Sequence, residues 1–307
     1  MRLVMYRENG ESRLGAVIGD QVLDLARRAS KVGVDGLPDG LDMMTLLREG
    51  APTLEKAKQI VDAVERSLGI GGGEWLRSRG VLQPLESLQL LAPIPNPSKI
   101  IAIGLNYRDH AREQGTAIPD RPIIFAKFPT SVIGPGDIIT WDPALTERVD
   151  YEAELGFVIG KTARNVRPED AYDYIAGYTC VNDVSARDLQ FGDKQWVRGK
   201  SLDTFCPIGP ALVTVDEVPD PHELAIRAVL NGQVMQDSNT RELIFGVPEL
   251  LSFISRAFTL LPGDVVATGT PHGVGVFRDP PVFMKDGDEI VIEVEGIGRL
   301  ENTCRTV

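Results

Sequence analysis

The chain contains 307 residues, of which 43% are hydrophobic and 25% are charged, and its formal net charge is −12 at pH 7. This negative surplus argues against nucleic acid or an anionic membrane as the main partner, because proteins that bind phosphate groups normally carry a basic surplus. The length and the apolar content allow a sizeable core, in two domains or in one large one.

The cysteines do not indicate a cross-linked or zinc-binding protein. Cys180, Cys206 and Cys304 form an odd set without CxxC spacing, so neither a disulfide scaffold nor a zinc site is indicated. The first residues lack the apolar core of a secretory signal, and no segment reaches the ~20 apolar residues that cross a bilayer. These features predict a globular protein in the cytoplasm, a reducing compartment.

The first 92 residues are predicted to form a small α+β domain. Turn signals at Asn9-Gly10 and Gly19-Asp20 separate short apolar runs, which is typical of a β-meander. Apolar residues then recur at helical spacing until a cluster of glycines ends the pattern. The predicted strands are 2–6, 14–18 and 21–25, and the predicted helices are 43–48 and 53–68.

A proline-rich connector at 93–98 marks the predicted domain boundary, because proline at this density excludes regular structure. The two domains are therefore expected at 1–92 and 99–307. After the connector, short apolar or β-branched runs recur between Gly, Pro and Asp turns, which indicates a β-rich domain. The runs lie at 99–103, 123–126, 138–140, 155–159, 212–215, 226–230, 265–268 and 289–294.

Two glutamates at the start of an apolar run are the most informative feature of this second domain. Glu152 and Glu154 are two residues apart, so a strand would point both carboxylates the same way. The run that follows, 155–159, indicates a strand that enters a core, where unpaired carboxylates are costly. With Asp183 as a third ligand, the set suits Mg²⁺ or Mn²⁺ better than Zn²⁺. The alternative is a strand end with two solvated glutamates.

A histidine and a glutamate lie three residues apart in a short helical stretch between Gly104 and Gly115. On a helix, His110 and Glu113 face the same way and can form a hydrogen bond that orients the imidazole. The pair could activate a water molecule, or it could be an incidental surface pair.

Two further segments carry candidate site residues. The glycine-rich turn 267–275 exposes backbone N–H groups and threonine hydroxyls suited to a carboxylate, although it could also be a turn without a ligand. It lacks the endings of a phosphate loop or a dinucleotide fingerprint. Lys200 has apolar flanks that suggest partial burial, and a buried lysine can stabilise an oxyanion; the alternative is an ordinary surface lysine.

The order of these motifs resembles that of the fumarylacetoacetate hydrolase family. The resemblance covers residues 99–307, and the preceding domain is similar to that of the longer domain-containing members. The motifs are 104–107 (GLNY), the His110/Glu113 pair, 150–155 (DYEAEL), 182–188 (NDVSARD), 199–207 (GKSLDTFCP) and 268–275 (TGTPHGVG).

The resemblance implies a fold and a site. The expected fold is α+β and β-rich, with a mixed β-sandwich roll as the catalytic domain, and the expected assembly is a homodimer. One Mg²⁺, Mn²⁺ or Ca²⁺ ion is expected at each site. The resemblance assigns the metal to Glu152, Glu154 and Asp183, catalysis to His110 and Glu113 on a lid and to Lys200, and substrate binding to Arg187, Gln190 and Thr270.

The same resemblance implies chemistry on a small 2-oxo or 2,4-dioxo acid. The favoured expectation is hydrolysis of a C–C bond in an acylpyruvate, with water activated by His110 and Glu113 and an enolate stabilised by Lys200 and the metal. The first alternative is an oxaloacetate tautomerase or decarboxylase, and the second is an isomerase or hydratase of aromatic degradation. A non-catalytic scaffold that retains the fold is a fourth possibility.

Overall fold

The structure is a computed structural model that describes residues 1–26, 37–38 and 40–307. The described residues form nineteen strands and seven α-helices. The strands are β1 (Arg2–Glu8), β2 (Glu11–Ile18), β3 (Gln21–Asp24), β4 (Leu82–Pro84), β5 (Gln89–Leu91), β6 (Ile100–Gly104), β7 (Ile123–Lys127), β8 (Val132–Ile133), β9 (Ile138–Trp141), β10 (Val149–Asp150), β11 (Ala153–Ile159), β12 (Ile175–Asn182), β13 (Ser185–Ala186), β14 (Cys206–Thr214), β15 (Ala225–Leu230), β16 (Gln233–Asn239), β17 (Val265–Ala267), β18 (Glu289–Val294) and β19 (Gly298–Thr306). The helices are α1 (Met43–Glu49), α2 (Ala51–Gly69), α3 (Gly73–Ser78), α4 (Arg108–Gln114), α5 (Arg187–Gly192), α6 (Val197–Lys200) and α7 (Val247–Ala257).

A mixed sheet forms the centre of the molecule. Its hydrogen-bonded order is β4-β3-β2-β1-β14-β12-β11-β17-β6-β7, with β5 paired to β1 and β8 paired to β14. Strands β11 and β12 lie inside this sheet, and all of their residues are buried. This two-sided burial explains why 155–159 reads as a continuous apolar run rather than an alternating one.

A second sheet, with the order β16-β15-β18-β19-β9, packs against the first. Strand β19 alternates between buried and exposed residues, as expected for a strand with one face on the core. Phe157 and Tyr178 of the first sheet share one hydrophobic core with Ile226, Ile292 and Leu300 of the second. The predicted α+β, β-rich architecture is therefore confirmed.

The N-terminal strands continue the central sheet. Strand β1 pairs with β14, with Arg2 opposite Val213 and Leu3 opposite Leu212, and helices α1 and α2 contribute to a second core that also contains residues of β14 and β17. The connector 93–98 contains no strand or helix. Residues 1–92 and 99–307 thus share a sheet and a core, and the domain boundary at 93–98 stays a prediction.

The predicted segments correspond to observed elements, with one notable shift. The three N-terminal strands, the two helices and the eight later runs all fall on helices or strands of the predicted type. Strand β14, however, begins at Cys206, well before the predicted start at residue 212, and ends at Thr214. Its two prolines concealed it, and Pro210 lies at an irregularity in the pairing with β12, where the ladder does not need its N–H group.

The close pairing of β12 and β14 generates a stability prediction. A Cβ atom added at Gly177 of β12 would lie 2.2 Å from the backbone oxygen of Val213, so Gly177→Ala should lower the free energy of unfolding by about 3 kcal/mol. The matched control is Gly69→Ala at the end of α2, where an added Cβ has no atom within 4 Å. Urea denaturation of the two variants measures the difference, and equal stabilities would contradict this packing.

Candidate active site

Three buried carboxylates meet where β11 begins and β12 ends. Ala153 pairs with Asn182 across the two antiparallel strands, so Glu152 and Glu154, on either side of Ala153, come close to Asp183. One carboxylate oxygen from each of these acidic residues lies within 4.8 Å of the others. Their exposures are 6%, 1% and 0%, so the alternative of solvated glutamates is wrong. We call Glu152, Glu154 and Asp183 the carboxylate cluster.

Buried cations contact two members of this cluster. Lys200 Nζ donates to Glu152 Oε2 at 2.7 Å and to Asp183 Oδ2 at 2.8 Å. Arg187 Nη1 lies 2.6 Å from Glu152 Oε1, and Lys127 Nζ lies 2.6 Å from Asp183 Oδ1. The predicted burial of Lys200 beside the carboxylates is confirmed. Lys127 was not predicted at this site. Its one sequence feature is its position at the end of the apolar run 123–126.

Glu154 differs from its neighbours because no ion pair forms to it among the described residues. Its Oε2 accepts a hydrogen bond from the backbone N–H of Gly269 at 2.8 Å. Burial raises the pKa of Glu154 well above its usual range, and the negative charges of Asp183 and Glu152 raise it further. Glu154 is therefore the member of the carboxylate cluster whose ionised form has no cationic partner among the described residues.

For Glu152 and Lys200, the charges of their ion-pair partners outweigh the effect of burial on the pKa. Burial raises the pKa of Glu152, but the positive charges of Lys200 and Arg187 outweigh burial and hold that pKa at about 2. Burial lowers the pKa of Lys200, yet Asp183 and Glu152 more than offset it, so the net pKa is raised. Glu152 and Lys200 are thus a stable ion pair at neutral pH, with Lys200 as a fixed positive charge.

The carboxylate cluster fits a hard divalent cation. Three carboxylate oxygens in a buried site are the donor set that Mg²⁺, Mn²⁺ and Ca²⁺ prefer, and a cation there would stabilise the ionised form of Glu154. Glu152, Glu154 and Asp183 are the residues that would hold it.

Asp150 fixes the position of Arg187. Its carboxylate accepts the backbone N–H groups of Gly275 and Val276 at 2.8 and 3.0 Å, and it pairs with Arg187 at 2.8 Å. Arg187 Nη1 also donates to Gln190 Oε1 at 3.0 Å. Two of the three predicted substrate-binding residues, Arg187 and Gln190, are therefore held together beside Glu152, with the amide nitrogen of Gln190 left to donate.

Helix α4, which we call the lid helix, presents the predicted histidine–glutamate pair. It ends at Gly115, whose φ of 62° allows the left-handed conformation of a helix C-terminus. His110 Nδ1 lies 2.8 Å from Glu113 Oε2, and the other carboxylate oxygen of Glu113 accepts the backbone N–H of Gly273 at 2.8 Å. The sequence-predicted contact is thus present, and it also attaches the lid helix to the glycine-rich turn.

A second ring contact was not expected from the sequence. The side-chain nitrogen of Gln114 lies 2.6 Å from His110 Nε2, so both nitrogens of the imidazole have a partner. The available signal was the spacing of four residues between His110 and Gln114, which places them on one face of a helix.

The lid helix is also fastened at its N-terminal end. Asp109 Oδ2 accepts from Ser238 Oγ at 2.5 Å and lies 2.9 Å from His272 Nδ1. Asn106, just before the helix, donates through Nδ2 to the backbone oxygens of Phe245 and Thr268 at 3.1 and 2.7 Å. The structure thus shows the lid helix closed on the site.

Thr270 stands in the glycine-rich turn with its hydroxyl oriented by Gln236. The Gln236 amide nitrogen donates to Thr270 Oγ1 at 2.8 Å, while its oxygen accepts the backbone N–H of Ala153 at 2.8 Å. Because Thr270 Oγ1 already accepts one hydrogen bond, its own proton is available for an anion. Gln236 is a further residue that the sequence did not suggest.

A cavity of about 200 Å³ joins these groups. Its apolar wall includes Phe125, Trp196 and Phe277. Glu113 contacts the cavity through His110. Its polar wall is formed by His110, Gln114, Glu152, Arg187, Gln190, Lys200 and Thr270. The predicted catalytic and substrate-binding residues, apart from Glu113, therefore line one cavity that also includes Glu152 of the carboxylate cluster.

Comparison with known proteins gives close matches along the whole chain. Residues 99–305 match the family described as fumarylacetoacetate (FAA) hydrolase C-terminal. The chain is 48% identical over 308 residues to "Oxaloacetate tautomerase fahd2, mitochondrial" of Xenopus laevis, which covers 98% of this chain and 89% of that protein. It is 45% identical over 254 residues to "Oxaloacetate tautomerase FAHD2A, mitochondrial" of Homo sapiens, which covers 82% of this chain and 80% of that protein.

Solved structures agree with the fold. "Fumarylacetoacetate hydrolase (EaFAH)" from psychrophilic Exiguobacterium antarcticum matches with a TM-score of 0.81 and 35% identity, and covers 100% of both chains. The maleylpyruvate hydrolase of Sphingobium sp. SYK-6, in complex with manganese(II) and pyruvate, matches with a TM-score of 0.74 and 32% identity, covering 100% of this chain and 99% of that one. The expected mixed β-sandwich roll is confirmed.

The comparisons leave some expectations open. Several similar proteins carry the word mitochondrial in their names, so the cytoplasmic location predicted from the sequence is not supported. Within the described residues, no helix has the length and apolar character to span a membrane. The homodimer and the identity of the metal ion stay predictions.

The lack of a cationic partner for Glu154 among the described residues generates a prediction for metal binding. Glu154→Gln should weaken Mn²⁺ binding by about 100-fold, since loss even of a residue that only supports a metal ligand costs 10–100-fold. His110→Ala, which removes a cavity residue outside the carboxylate cluster, should bind Mn²⁺ within about twofold of the wild type. Isothermal titration calorimetry on the metal-free proteins measures both. A Glu154→Gln variant with wild-type affinity would show that the cluster is not the metal site.

Proposed function

The chain belongs to the fumarylacetoacetate hydrolase family of enzymes, and we propose that it interconverts the keto and enol forms of oxaloacetate with a divalent metal ion. The identities of 48% and 45% to proteins named as oxaloacetate tautomerases support this choice. The observation that carries it is the state of His110, whose two ring nitrogens contact Glu113 and Gln114. Nε2 must leave Gln114 in either reaction, but hydrolysis also needs a water molecule to enter beside this buried ring, which is 6% exposed, whereas tautomerisation needs only the substrate.

Tautomerisation needs little from the protein beyond charge stabilisation and one mobile proton. Removal of a proton from C3 of the keto form puts negative charge on the C2 oxygen, and return of a proton restores either tautomer. No attacking water and no leaving group are involved. A closed site whose imidazole is shielded from solvent suits this reaction better than hydrolysis.

The first task is to bind and polarise the 2-oxo acid. A divalent ion held by Glu152, Glu154 and Asp183 would supply Lewis acidity toward the C1 carboxylate and the C2 oxygen. Lys200 Nζ lies 2.7 Å from Glu152 and 2.8 Å from Asp183, and its ammonium group in this position stabilises negative charge that develops on the C2 oxygen. The Thr270 hydroxyl, with its proton free, donates to a substrate carboxylate.

The second task is proton transfer at C3. Glu113 accepts from Nδ1 of His110 and thereby fixes the tautomer with a lone pair on Nε2. Once Nε2 is uncovered, it accepts the C3 proton in the direction from keto to enol. Glu113 then stabilises the positive imidazolium that results, and the same nitrogen returns the proton in the opposite direction.

Hydrolysis of an acylpyruvate is the second candidate. It is favoured by the assembled His110–Glu113 contact and by the likeness to a maleylpyruvate hydrolase bound to pyruvate. That reaction requires Gln114 to leave His110 and a water molecule to take its place. The two candidates share the carboxylate cluster and Lys200, and they differ in whether water enters beside Nε2.

The proposal predicts which substrate is turned over. With Mg²⁺, the protein should accelerate the decay of enol-oxaloacetate absorbance without releasing pyruvate, whereas acetylpyruvate and fumarylpyruvate should be turned over at least about 100-fold less efficiently. His110→Ala should lower kcat for enol decay by about 10²–10⁴-fold because it removes the proton carrier. Ultraviolet absorbance and a coupled assay for pyruvate follow the two outcomes.

The control for this assay is Mn²⁺ binding by His110→Ala, which should be retained and so excludes loss of the metal as the cause. Pyruvate formation from a 2,4-dioxo acid at a higher kcat/KM than oxaloacetate turnover would overturn the tautomerase proposal in favour of hydrolysis. Pyruvate formation from oxaloacetate would identify a decarboxylase instead.

A further inference from the structure

Gln114 contacts the ring nitrogen of His110 that the proposed reaction uses. Gln114 is the last residue of the lid helix, it is half-buried, and it lines the cavity. Its side-chain nitrogen lies 2.6 Å from the ring nitrogen that has to move the C3 proton. His110 therefore cannot act at C3 until Gln114 finds another partner.

The direction of this hydrogen bond follows from the groups around the ring. An ionised Glu113 carboxylate has no proton to donate and can only accept a hydrogen bond, so the ring proton of neutral His110 lies on Nδ1. Nε2 then carries a lone pair, and the Gln114 amide is the donor. An amide N–H group bonds more strongly to a carboxylate than to a neutral imidazole, because hydrogen bonds to charged acceptors are about twice as strong. An incoming carboxylate can thus draw the amide away from the ring.

The position of such a carboxylate is fixed by the reaction. Nε2 must reach the hydrogen on C3, and C4 of oxaloacetate is one bond farther along the chain. Since the Gln114 nitrogen is in hydrogen-bond contact with Nε2, it lies within reach of a carboxylate at C4 when Nε2 is at C3. Substrates without a group at C4 offer the amide no new acceptor.

The two cationic side chains that line the cavity already form ion pairs. Arg187 is paired with Asp150 and Glu152, and Lys200 is paired with Glu152 and Asp183. These pairs hold both cations at the end of the cavity where the 2-oxo acid head would bind. On the lid side, beside His110, Gln114 is a cavity-lining donor that can turn to a second carboxylate.

We propose that Gln114 is a specificity-determining residue that recognises the second carboxylate of a four-carbon dicarboxylic 2-oxo acid and, in turning to it, uncovers Nε2 of His110. The inference rests on the proposed function, since it takes His110 as the carrier of the C3 proton. Recognition and activation are then one event. A monocarboxylic acid leaves the amide on the ring and the imidazole inactive.

The test compares two ligands that differ only at C4 and that the enzyme cannot tautomerise, L-malate and L-lactate. In the Mn²⁺-loaded full-length protein, Gln114→Met should weaken the binding of L-malate by about tenfold and leave the affinity for L-lactate within about twofold of the wild type. Methionine keeps the shape of the side chain but has no hydrogen-bond donor. Gln114→Glu should weaken the binding of L-malate further, because the new carboxylate repels the second carboxylate of the ligand. Isothermal titration calorimetry measures the affinities.

A variant on the same helix provides the control. Arg112 is exposed and pairs with Glu242 on the outer side of the lid helix, so Arg112→Met should leave both affinities within about twofold. In turnover of oxaloacetate, Gln114→Met should raise KM and lower kcat, since both recognition and release of Nε2 depend on the amide.

The outcomes separate this inference from the proposed function. If Gln114→Met binds L-malate as the wild type does, or loses affinity for L-malate and L-lactate equally, Gln114 does not recognise the second carboxylate. This holds whether or not oxaloacetate is turned over. Wild-type protein that binds L-malate no more tightly than L-lactate would overturn the inference in the same way. If the selective loss of L-malate is found but oxaloacetate is not turned over, the carboxylate site stands and the tautomerase proposal fails.

Discussion

Three buried carboxylates, each with an oxygen within 4.8 Å of the others, are the constraint on which the rest of the site depends. Two strands bring them together, because β11 and β12 pair so that Ala153 lies opposite Asn182. Burial of like charges is costly, and Lys127, Arg187 and Lys200 compensate for part of it. Glu154 is left without a cationic partner among the described residues, and a divalent ion would supply one.

The lid helix converts this charged site into a closed one. Glu113 and Asp109 attach it to the glycine-rich turn, at Gly273 and at His272, and the same turn presents Thr270 to the cavity. Substrate binding and lid closure therefore share one structural element. In this arrangement His110 is held by residues on both sides, and its chemistry is controlled by what its neighbours contact rather than by its own exposure.

Much of this could be predicted from local sequence. Short apolar runs between turn residues located most strands of the β-rich part, and the spacing of Glu152 and Glu154 before such a run indicated a buried acidic site. The resemblance of ordered motifs to a known family supplied the remaining site residues. Helix α7 was not predicted, although its buried Val247, Leu250, Leu251 and Ile254 have helical spacing.

The remainder depended on contacts between distant parts of the chain. No local pattern places β1 beside β14, or Lys127 beside Asp183, because each pair is brought together only by the assembled sheet. Gln114 had the correct spacing from His110, but a polar residue at the end of a short helix is common on surfaces. Its importance became visible only when the lid helix was seen closed over the cavity.

We propose above all that this site moves a proton at C3 of oxaloacetate and breaks no C–C bond. Proton NMR in ²H₂O with diamagnetic Mg²⁺ tests it directly by following the C3 signal of oxaloacetate and the methyl signal of pyruvate. We expect protein-catalysed loss of the C3 signal through deuterium exchange, dependent on Mg²⁺, with pyruvate formed no faster than in the protein-free control. Growth of pyruvate in step with the protein, or exchange at the uncatalysed rate, would contradict it.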